Sequence, residues 1–403
     1  MMYKWEDNMK KSIFLVLLFI FICINVSANA PEKIKIGLFY NKTTIDTVTI
    51  TNDGKTVNIK KEDVTDDVVI NSDELIKVND KSYRGSIIIK NIDGVGLTVI
   101  NEVDIEDYVA SVIAREMSPS FNIEALKAQA VCARTYATYN KNKHSKYGFD
   151  LCTTEDCQVY FGASSEHTNT IKATMETKGK ILTYNGEPAQ TVYFATSGGY
   201  TEDVKYVWGS SIPYLQSVKD ENESKLVYAS TWKKELSKQK ATEILNSKGY
   251  NIGNVKTIEV LEKTTAGSVT KLKITGDIGE KTFTNEGCRT VFGYGILLSQ
   301  AYSVTGGGSS GVNLSLYGGS ANTSNLTLLS ANGKSVHNSE FIQLKGKEDL
   351  KIDTPVAKDS FTFNGRGNGH LVGMSQNGAN GMAAAGFNYE EILTHYYKGT
   401  KLL

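Results

Sequence analysis

The sequence predicts an α+β protein that is rich in antiparallel strands and carries two adjacent helices. Between residues 34 and 101, short apolar runs alternate with polar residues and are separated by turn pairs such as Asp53-Gly54 and Asp93-Gly94. This pattern is typical of antiparallel hairpins. From Ile105 the apolar spacing becomes helical. Strand-like runs return after residue 179, and residues 255–284 predict a meander.

The composition excludes two classes of protein. The 403 residues include 44 basic and 44 acidic side chains, so the formal net charge is zero. A nucleic-acid binder usually carries an excess of basic residues, and we therefore expect no nucleic-acid partner. Because 40% of the residues are hydrophobic and only 22% are charged, a disordered tail protein is excluded as well.

Residues 1–30 have the pattern of an export signal. Lys10 and Lys11 precede an apolar run from Ile13 to Ile24, and small residues follow at Ala28 and Ala30. Such a run rises about 18 Å as a helix, which is less than the roughly 30 Å hydrocarbon core. Cleavage as a signal peptide and retention as a tilted membrane anchor both remain open. In either case we expect an exported protein that works outside the cytoplasmic membrane.

The first helix, predicted from Ile105 to Met117, carries Glu116 near its end. Met117, Pro119 and Phe121 follow this glutamate. A carboxylate beside apolar side chains loses hydration, so its pKa rises, as a general acid near neutral pH requires. The alternative is an ordinary solvated glutamate at a helix end.

The second helix has the strongest pattern in the chain. Asn122 is a suitable N-cap, and no glycine or proline occurs before Gly148. Lys127 and Arg134 lie seven residues apart and share a face, with Gln129 beside them. This face could bind a sugar carboxylate or an acetamido group. Alternatively, it is the solvated side of an amphipathic helix.

His144, Cys152 and Cys157 are candidate zinc ligands. Zinc accepts imidazole and thiolate ligands, and three protein ligands would leave one coordination position open. Because exported proteins often oxidise neighbouring cysteines, a Cys152–Cys157 disulfide is a second interpretation. Two free thiols without a metal are a third.

The rest of the chain gives weaker signals. Residues 231–247 predict a surface helix, and residues 305–311 predict a flexible Gly/Ser-rich stretch. Residues 365–370, GRGNGH, predict a tight glycine loop that brings His370 and Gln376 to a surface. A nucleotide-binding loop is excluded because too little chain follows for a βαβ unit. A purely structural turn remains an alternative.

Several of these segments together resemble one family, that of stage II sporulation protein D and the amidase enhancers. The matches lie roughly within residues 85–220 and 361–403 and follow the family's order. They comprise residues 103–109 (VDIEDYV), 116–119 (EMSP), 124–136 (EALKAQAVCARTY), 193–202 (YFATSGGYTE), 207–209 (VWG), 213–215 (PYL) and 365–383.

The resemblance implies a two-lobed organisation, because matching motifs lie on both sides of residues 222–360. Residues 1–30 would be the export segment, and residues 31–221 the catalytic domain with its N-terminal hairpins. Residues 222–360 would form a β-rich second lobe, to which no chemistry is assigned, and residues 361–403 would return to the catalytic domain. The expected fold is thus α+β, antiparallel and β-rich, with a helical pair that carries the catalytic glutamate.

The resemblance implies a lytic transglycosylase that cuts peptidoglycan glycan strands, preferably those stripped of stem peptides, during engulfment in sporulation. Glu116 matches the family's catalytic acid. Glycosidases that use water or an enzyme nucleophile need two carboxylates. A lytic transglycosylase uses the C6 hydroxyl of the sugar itself and leaves a 1,6-anhydro end. One carboxylate can therefore act first as acid and then as base.

The resemblance also implies binding positions. Eight residues are expected to face the glycan from three segments: Lys127, Gln129 and Arg134; Ser197, Gly198 and Gly199; and His370 and Gln376. Some members of the family bind zinc through one His and two Cys, which His144, Cys152 and Cys157 match. Two positions depart from the family's pattern. Asp156 stands where such members often carry a His, and Asn368 replaces a Trp of the closing loop, which we expect to weaken sugar stacking.

The resemblance implies two protein partners besides the glycan strands, an amidase (stage II sporulation protein P) and a membrane anchor (stage II sporulation protein M). We expect the chain to be tethered to the membrane or to lie in the cell wall. An alternative function is that of a non-catalytic amidase enhancer, which binds wall glycan and activates a partner hydrolase. Zinc-dependent hydrolysis is a third interpretation, and a role in vegetative wall turnover remains open.

Overall fold

The computed structural model describes residues 29–224, 227–306 and 359–403, together with the backbone of six short strands between residues 313 and 353. The export signal up to residue 28 and the Gly/Ser-rich residues 307–311 lie outside the described residues. Among the helices that the structure describes, none is long and apolar enough to cross a bilayer.

The described residues form eight helices and many short strands, which confirms the predicted β-rich α+β class. The helices are α1 (Ile105–Glu116), α2 (Ile123–Tyr139), α3 (Thr168–Glu176), α4 (Lys205–Trp208), α5 (Lys238–Ser247), α6 (Gly287–Thr290), α7 (Gln376–Ala384) and α8 (Tyr389–Tyr396). The strands are β1 (Lys33–Phe39), β2 (Thr47–Asn52), β3 (Lys55–Lys60), β4 (Val68–Ile70), β5 (Ile76–Val78), β6 (Lys81–Tyr83), β7 (Ser86–Ile92), β8 (Gly96–Asp104), β9 (Leu151–Cys152), β10 (Leu182–Tyr184), β11 (Glu187–Pro188), β12 (Tyr193–Phe194), β13 (Trp232–Ser237), β14 (Val255–Lys263), β15 (Val269–Gly276), β16 (Glu280–Thr284), β17 (Tyr302–Gly306), β18 (Asn313–Leu316), β19 (Gly319–Asn322), β20 (Leu328–Ser330), β21 (Gly333–Ser335), β22 (Phe341–Leu344), β23 (Leu350–Asp353), β24 (Ser360–Gly365), β25 (Met374–Ser375) and β26 (Lys401–Leu402).

The hairpins predicted before residue 101 form two sheets. One has the strand order β4-β7-β8-β1-β9 and the other β3-β2-β5-β6. All neighbours are antiparallel except β1 and β9. The strand β8 continues directly into α1, whose N-cap Asp104 accepts a hydrogen bond from the Glu106 N–H at 2.8 Å. This direct connection fixes the direction in which α1 carries Glu116 away from the sheet.

The second helix, α2, begins as predicted, since the Asn122 side chain accepts a hydrogen bond from the Glu124 N–H at 3.0 Å. Alanines along the helix are fully buried, and they allow close packing of α1, α3 and α7 around it. The chain returns to this lobe after its middle segment. There β25 pairs in parallel with β12, and β26 pairs with β10.

The middle segment forms a second lobe with a separate core. Its sheets are β13-β24-β17 and β14-β15-β16, and the core includes Trp232, Leu272 and Phe363. The strand β24 belongs to this lobe, so the return to the first lobe begins after Gly365 and not at residue 361.

The helix predicted from residue 231 is wrong in its first half. Residues Trp232–Ser237 form the strand β13, where Trp232 and Leu236 share the buried face. The helix α5 begins only after Ser237, whose side chain caps it by accepting a hydrogen bond from the Lys240 N–H at 3.1 Å. Pairing of β13 with β24 decides this conformation, and a local pattern does not reveal it.

Candidate functional site

A cleft of about 730 Å³ lies where the two lobes meet. Glu116, at the last position of α1, forms part of one wall. The remaining lining residues come from both lobes and from the glycine loop that joins them. They are Arg115, Tyr136, Glu155, Cys157, Val159, Gln190, Val192, Tyr193, Phe194, Ala195, Trp208, Glu286, Arg289, Tyr294, Asn368, Gly369, His370 and Gln376.

The Glu116 carboxyl is half-buried in this wall. Burial raises its pKa above the ordinary value, and the negative charge of Glu155 acts in the same direction. A hydrogen bond from the Val159 N–H to Oε1 at 3.3 Å and the nearby Gln376 amide oppose the rise, but the net shift is upward. The carboxyl is therefore held in a fixed position while its protonated form is favoured, which suits a general acid.

The loop that donates to Glu116 also positions a tyrosine beside it. The Gln158 side chain is buried, accepts a hydrogen bond from the Tyr108 hydroxyl at 3.1 Å and donates one to the Tyr193 hydroxyl at 3.0 Å. Burial raises the pKa of Tyr193, and the charge of Glu116 raises it further. The cleft wall thus contains a neutral phenol close to the carboxyl. The sequence motif around Tyr193 did not single it out.

The candidate metal ligands come together immediately behind this loop. His144, Cys152, Asp156 and Cys157 offer ligand atoms that all lie within 4.8 Å of one another. The Cys157 Sγ and the Asp156 Oδ2 each lie 3.3 Å from the His144 Nε2. Both cysteines are free thiols, which argues against the disulfide interpretation. Asp156, which was not among the expected ligands, thus completes a group of four residues that could hold a metal ion.

His370 and Gln376 both line the cleft. The His370 Nδ1 accepts a hydrogen bond from the Val372 N–H at 3.1 Å, so the Nε2 carries the proton and donates to the Tyr193 carbonyl at 3.0 Å. Burial lowers the pKa of His370 to about 4, and the positive charge of Arg289 contributes. The ring is neutral and both nitrogens are occupied, so His370 shapes the wall and holds Tyr193.

Ser197, Gly198 and Gly199 do not line the cleft. The Ser197 and Gly198 N–H groups donate to the buried carboxylate of Glu223 at 2.8 and 2.7 Å, and the Ser375 hydroxyl donates to it at 2.7 Å. Ser375 caps α7, whose first residue is Gln376. Through Glu223, Ser197 and Gly198 are thus linked to Ser375 of β25. Their position outside the cleft lining does not support the prediction that they form a glycan-facing wall.

Lys127, Gln129 and Arg134 also lie away from the cleft. Lys127 forms ion pairs with Glu124 and Glu176, both at 2.7 Å, and Gln129 is fully buried. Arg134 is 0% exposed and forms an ion pair with Glu106. The seven-residue spacing placed two cations on one face correctly, but Arg134 is buried against α1 and α3, and Lys127 forms its ion pairs outside the cleft.

The second lobe contributes residues that the sequence did not indicate. Arg289 on α6 and the neighbouring Tyr294 face the cleft, with the guanidinium 4.4 Å from the ring centre. Tyr294 is 54% exposed, and Trp208 from the first lobe is 38% exposed and packs against His370. These two aromatic rings offer stacking surfaces in the cleft, which Asn368 also lines.

The amino-acid sequence of the chain is similar to a known protein family and to several known proteins. A family model described as "Stage II sporulation protein" matches residues 93–184, a range that includes α1, α2 and the four candidate metal ligands. Stage II sporulation protein D of Bacillus subtilis (strain 168) is 30% identical over 319 residues, which cover 75% of each chain. An amidase enhancer of the same organism is 33% identical over 304 residues, which cover 72% of this chain but only 39% of the enhancer. An uncharacterized protein of Brachyspira hyodysenteriae is 28% identical over 338 residues, covering 83% of this chain and 76% of that protein.

Proposed function

Because the chain belongs to the family of stage II sporulation protein D and the amidase enhancers, we propose that it is a lytic transglycosylase that cuts peptidoglycan glycan strands. The observation that carries the proposal is the position of Glu116, half-buried in an open cleft with its pKa raised. A cleft lined by both lobes suits a bound sugar chain, and a carboxyl with a raised pKa in its wall suits cleavage of a glycosidic bond.

The proposed reaction uses Glu116 twice. Its carboxyl proton passes to the glycosidic oxygen as the bond from C1 to that oxygen breaks. The resulting carboxylate then accepts the proton of the C6 hydroxyl as O6 bonds to C1, which yields a 1,6-anhydro sugar and regenerates the acid. The Val159 N–H keeps the carboxyl oriented between these steps, and Tyr193 and Gln376 line the cleft close to it.

We also propose that His144, Cys152, Asp156 and Cys157 bind one zinc ion. The donor set of one imidazole, two thiols and one carboxylate fits tetrahedral zinc, and all ligand atoms already lie close together. Bound zinc would supply a structural cross-link and no open coordination position, which disfavours zinc-dependent hydrolysis. The chain from Cys157 continues to Gln158 and Val159, so the ligands anchor the contacts to Tyr193 and Glu116.

The experiment that tests the enzymatic proposal compares Glu116→Gln with Glu155→Gln on denuded glycan strands. Glu155 is a matched control, because it is a second carboxylate in the same cleft but is exposed. We expect the wild type and Glu155→Gln to release 1,6-anhydro products in mass spectrometry and Glu116→Gln to release none. Reducing-end products that depend on both glutamates would instead indicate a two-carboxylate hydrolase.

The non-catalytic enhancer remains the second candidate, because the similarity to the amidase enhancer covers most of this chain. It predicts glycan binding and stimulation of a partner amidase without anhydro products, and both would survive in Glu116→Gln. Family membership further supports the proposals of export, of location at the membrane or in the wall, and of a role in sporulation. The partners proposed on the same ground are the amidase and the membrane anchor, and pull-down of each by the full chain tests them.

A further inference from the structure

Arg289 is a buried cation that faces the cleft without a carboxylate partner. Only 7% of the surface of this residue is exposed to solvent. The Nε donates to the Leu297 carbonyl at 3.1 Å and the Nη2 donates to the Leu298 carbonyl at 2.7 Å. These two bonds and the Tyr294 ring fix the plane of the guanidinium. Among the described residues, no carboxylate oxygen lies within ion-pair distance of it.

The positive charge of Arg289 acts on a neighbouring group in the cleft. It helps to lower the pKa of His370, which lines the same cleft. Burial lowers the pKa of Arg289 itself, but an arginine remains charged in proteins. The negative charge of Glu286 acts on Arg289 from outside ion-pair distance and opposes the fall in its pKa, while the Glu286 carboxylate accepts a hydrogen bond from the Tyr294 hydroxyl at 3.4 Å. A buried cation that is oriented but not neutralised favours an anionic ligand at this wall.

We propose that Arg289 binds a carboxylate on the saccharide substrate, namely the free lactyl carboxylate of a muramic acid residue. This inference rests on the proposed function, which places a wall glycan in the cleft. When a stem peptide is attached, the lactyl group is an amide and carries no negative charge. When the peptide is absent, the group is a carboxylate, which matches the planar donors of a guanidinium. Arg289 is thus a specificity-determining residue that distinguishes the two kinds of strand.

The test measures binding and cleavage of two forms of one substrate by the full chain. Denuded strands are used as such and after conversion of their lactyl carboxylates to methylamides. We expect the wild type to prefer the carboxylate form. Arg289→Gln should weaken binding of the carboxylate form and lower kcat/KM for that form about 10- to 100-fold. Binding and cleavage of the methylamide form should stay unchanged. An equal loss on both forms, or no loss on either, would overturn the proposal.

Two further variants separate the proposal from its alternatives. Arg289→Lys keeps the charge and should retain part of the preference, even where loss of the Leu297 and Leu298 contacts lowers stability. Arg115 also lines the cleft, but it is exposed and its guanidinium covers the Phe161 ring. If Arg115→Gln abolishes the preference and Arg289→Gln does not, the residue that recognises the lactyl carboxylate is Arg115 and not Arg289. Binding measured in Glu116→Gln keeps the result independent of catalysis. If the wild type shows the preference but releases no anhydro products, the proposed enzyme is overturned while the role of Arg289 is supported.

Discussion

Replacing Arg134 by methionine removes the cation from a buried ion pair while keeping most of the side-chain volume. Glu106 accepts hydrogen bonds from the Arg134 Nε at 3.0 Å and from the Gly179 N–H at 2.9 Å, and the Arg134 Nη2 contacts it as well. The same guanidinium donates to the Lys180 carbonyl at 3.0 Å. In Arg134→Met, Glu106 would remain buried with only the Gly179 N–H as a partner.

The magnitude follows from the isolation of that charge. Breaking a buried ion pair by removing one partner costs about 3–5 kcal/mol, which is a large part of the roughly 5–15 kcal/mol that stabilises a typical domain. For a folding unit of this size, the melting temperature should fall by about 6–20 °C. Lys127→Met is the matched control. It removes a cation from the same helix, but from partly exposed pairs with Glu124 and Glu176, and should cost at most about 1 kcal/mol.

Thermal and urea denaturation of both variants would measure these losses, and glycan binding below the melting temperature would be measured alongside. We expect Glu106→Leu combined with Arg134→Met to recover much of the stability, because two apolar side chains can replace a buried pair. If Arg134→Met is as stable as the wild type but binds glycan more weakly, the structural role is wrong and the glycan-facing interpretation returns.

Three other substitutions probe the remaining contacts. Gly198→Ala should destabilise the protein by about 1–3 kcal/mol in denaturant titrations, since Gly198 has φ +66° and its Cβ would lie 2.7 Å from the Ser230 carbonyl; Gly199→Ala, with open space around its Cβ but φ +111°, separates the strain from the clash. Asp220→Asn should raise the melting temperature above pH 6 and leave it unchanged below pH 4. Burial, with the charge of Glu223, raises the pKa of Asp220 to about 6, above its unfolded value, so ionisation costs up to about 3 kcal/mol as the pH rises. If Asp220→Asn instead raised the melting temperature more at acidic pH than above pH 6, the predicted direction of the pH dependence would be wrong. Cys152→Ser should abolish zinc binding in metal analysis and lower the melting temperature, whereas Cys288→Ser should leave the zinc content unchanged; equal zinc in both variants would refute the proposed ligand set.

Local signals predicted the parts of the fold that local forces determine. The turn pairs Asp53-Gly54 and Asp93-Gly94 lie at hairpin ends, and Asn122 caps α2. The burial of Arg134 could not be predicted in this way. Spacing along one helix shows which residues share a face, but the partner Glu106 lies on another helix and decides what that face contacts.

The candidate site shows the same division. The apolar residues after Glu116 correctly suggested that its pKa is raised, although the hydrogen bond that holds the carboxyl comes from the Val159 N–H on a distant loop. The second-lobe residues Arg289 and Tyr294 carry no recognisable motif, and only the closure of two lobes brings them to the cleft. Asp156 could have been predicted as a candidate ligand from the sequence, because a carboxylate next to a candidate cysteine ligand is itself a ligand type for zinc.

The return of the chain to its first lobe determines when the cleft can exist. The Cys132 thiol and the Tyr397 hydroxyl lie 3.4 Å apart across 265 positions of sequence, and Met374 pairs with Tyr193. Contacts of such long range close late and slow the folding of a chain. A nascent chain that has been synthesised only as far as β17 contains Glu116 and Val159 but lacks Gln376 and His370. Assembly order alone would thus keep the cleft incomplete until the last residues of the chain have been added.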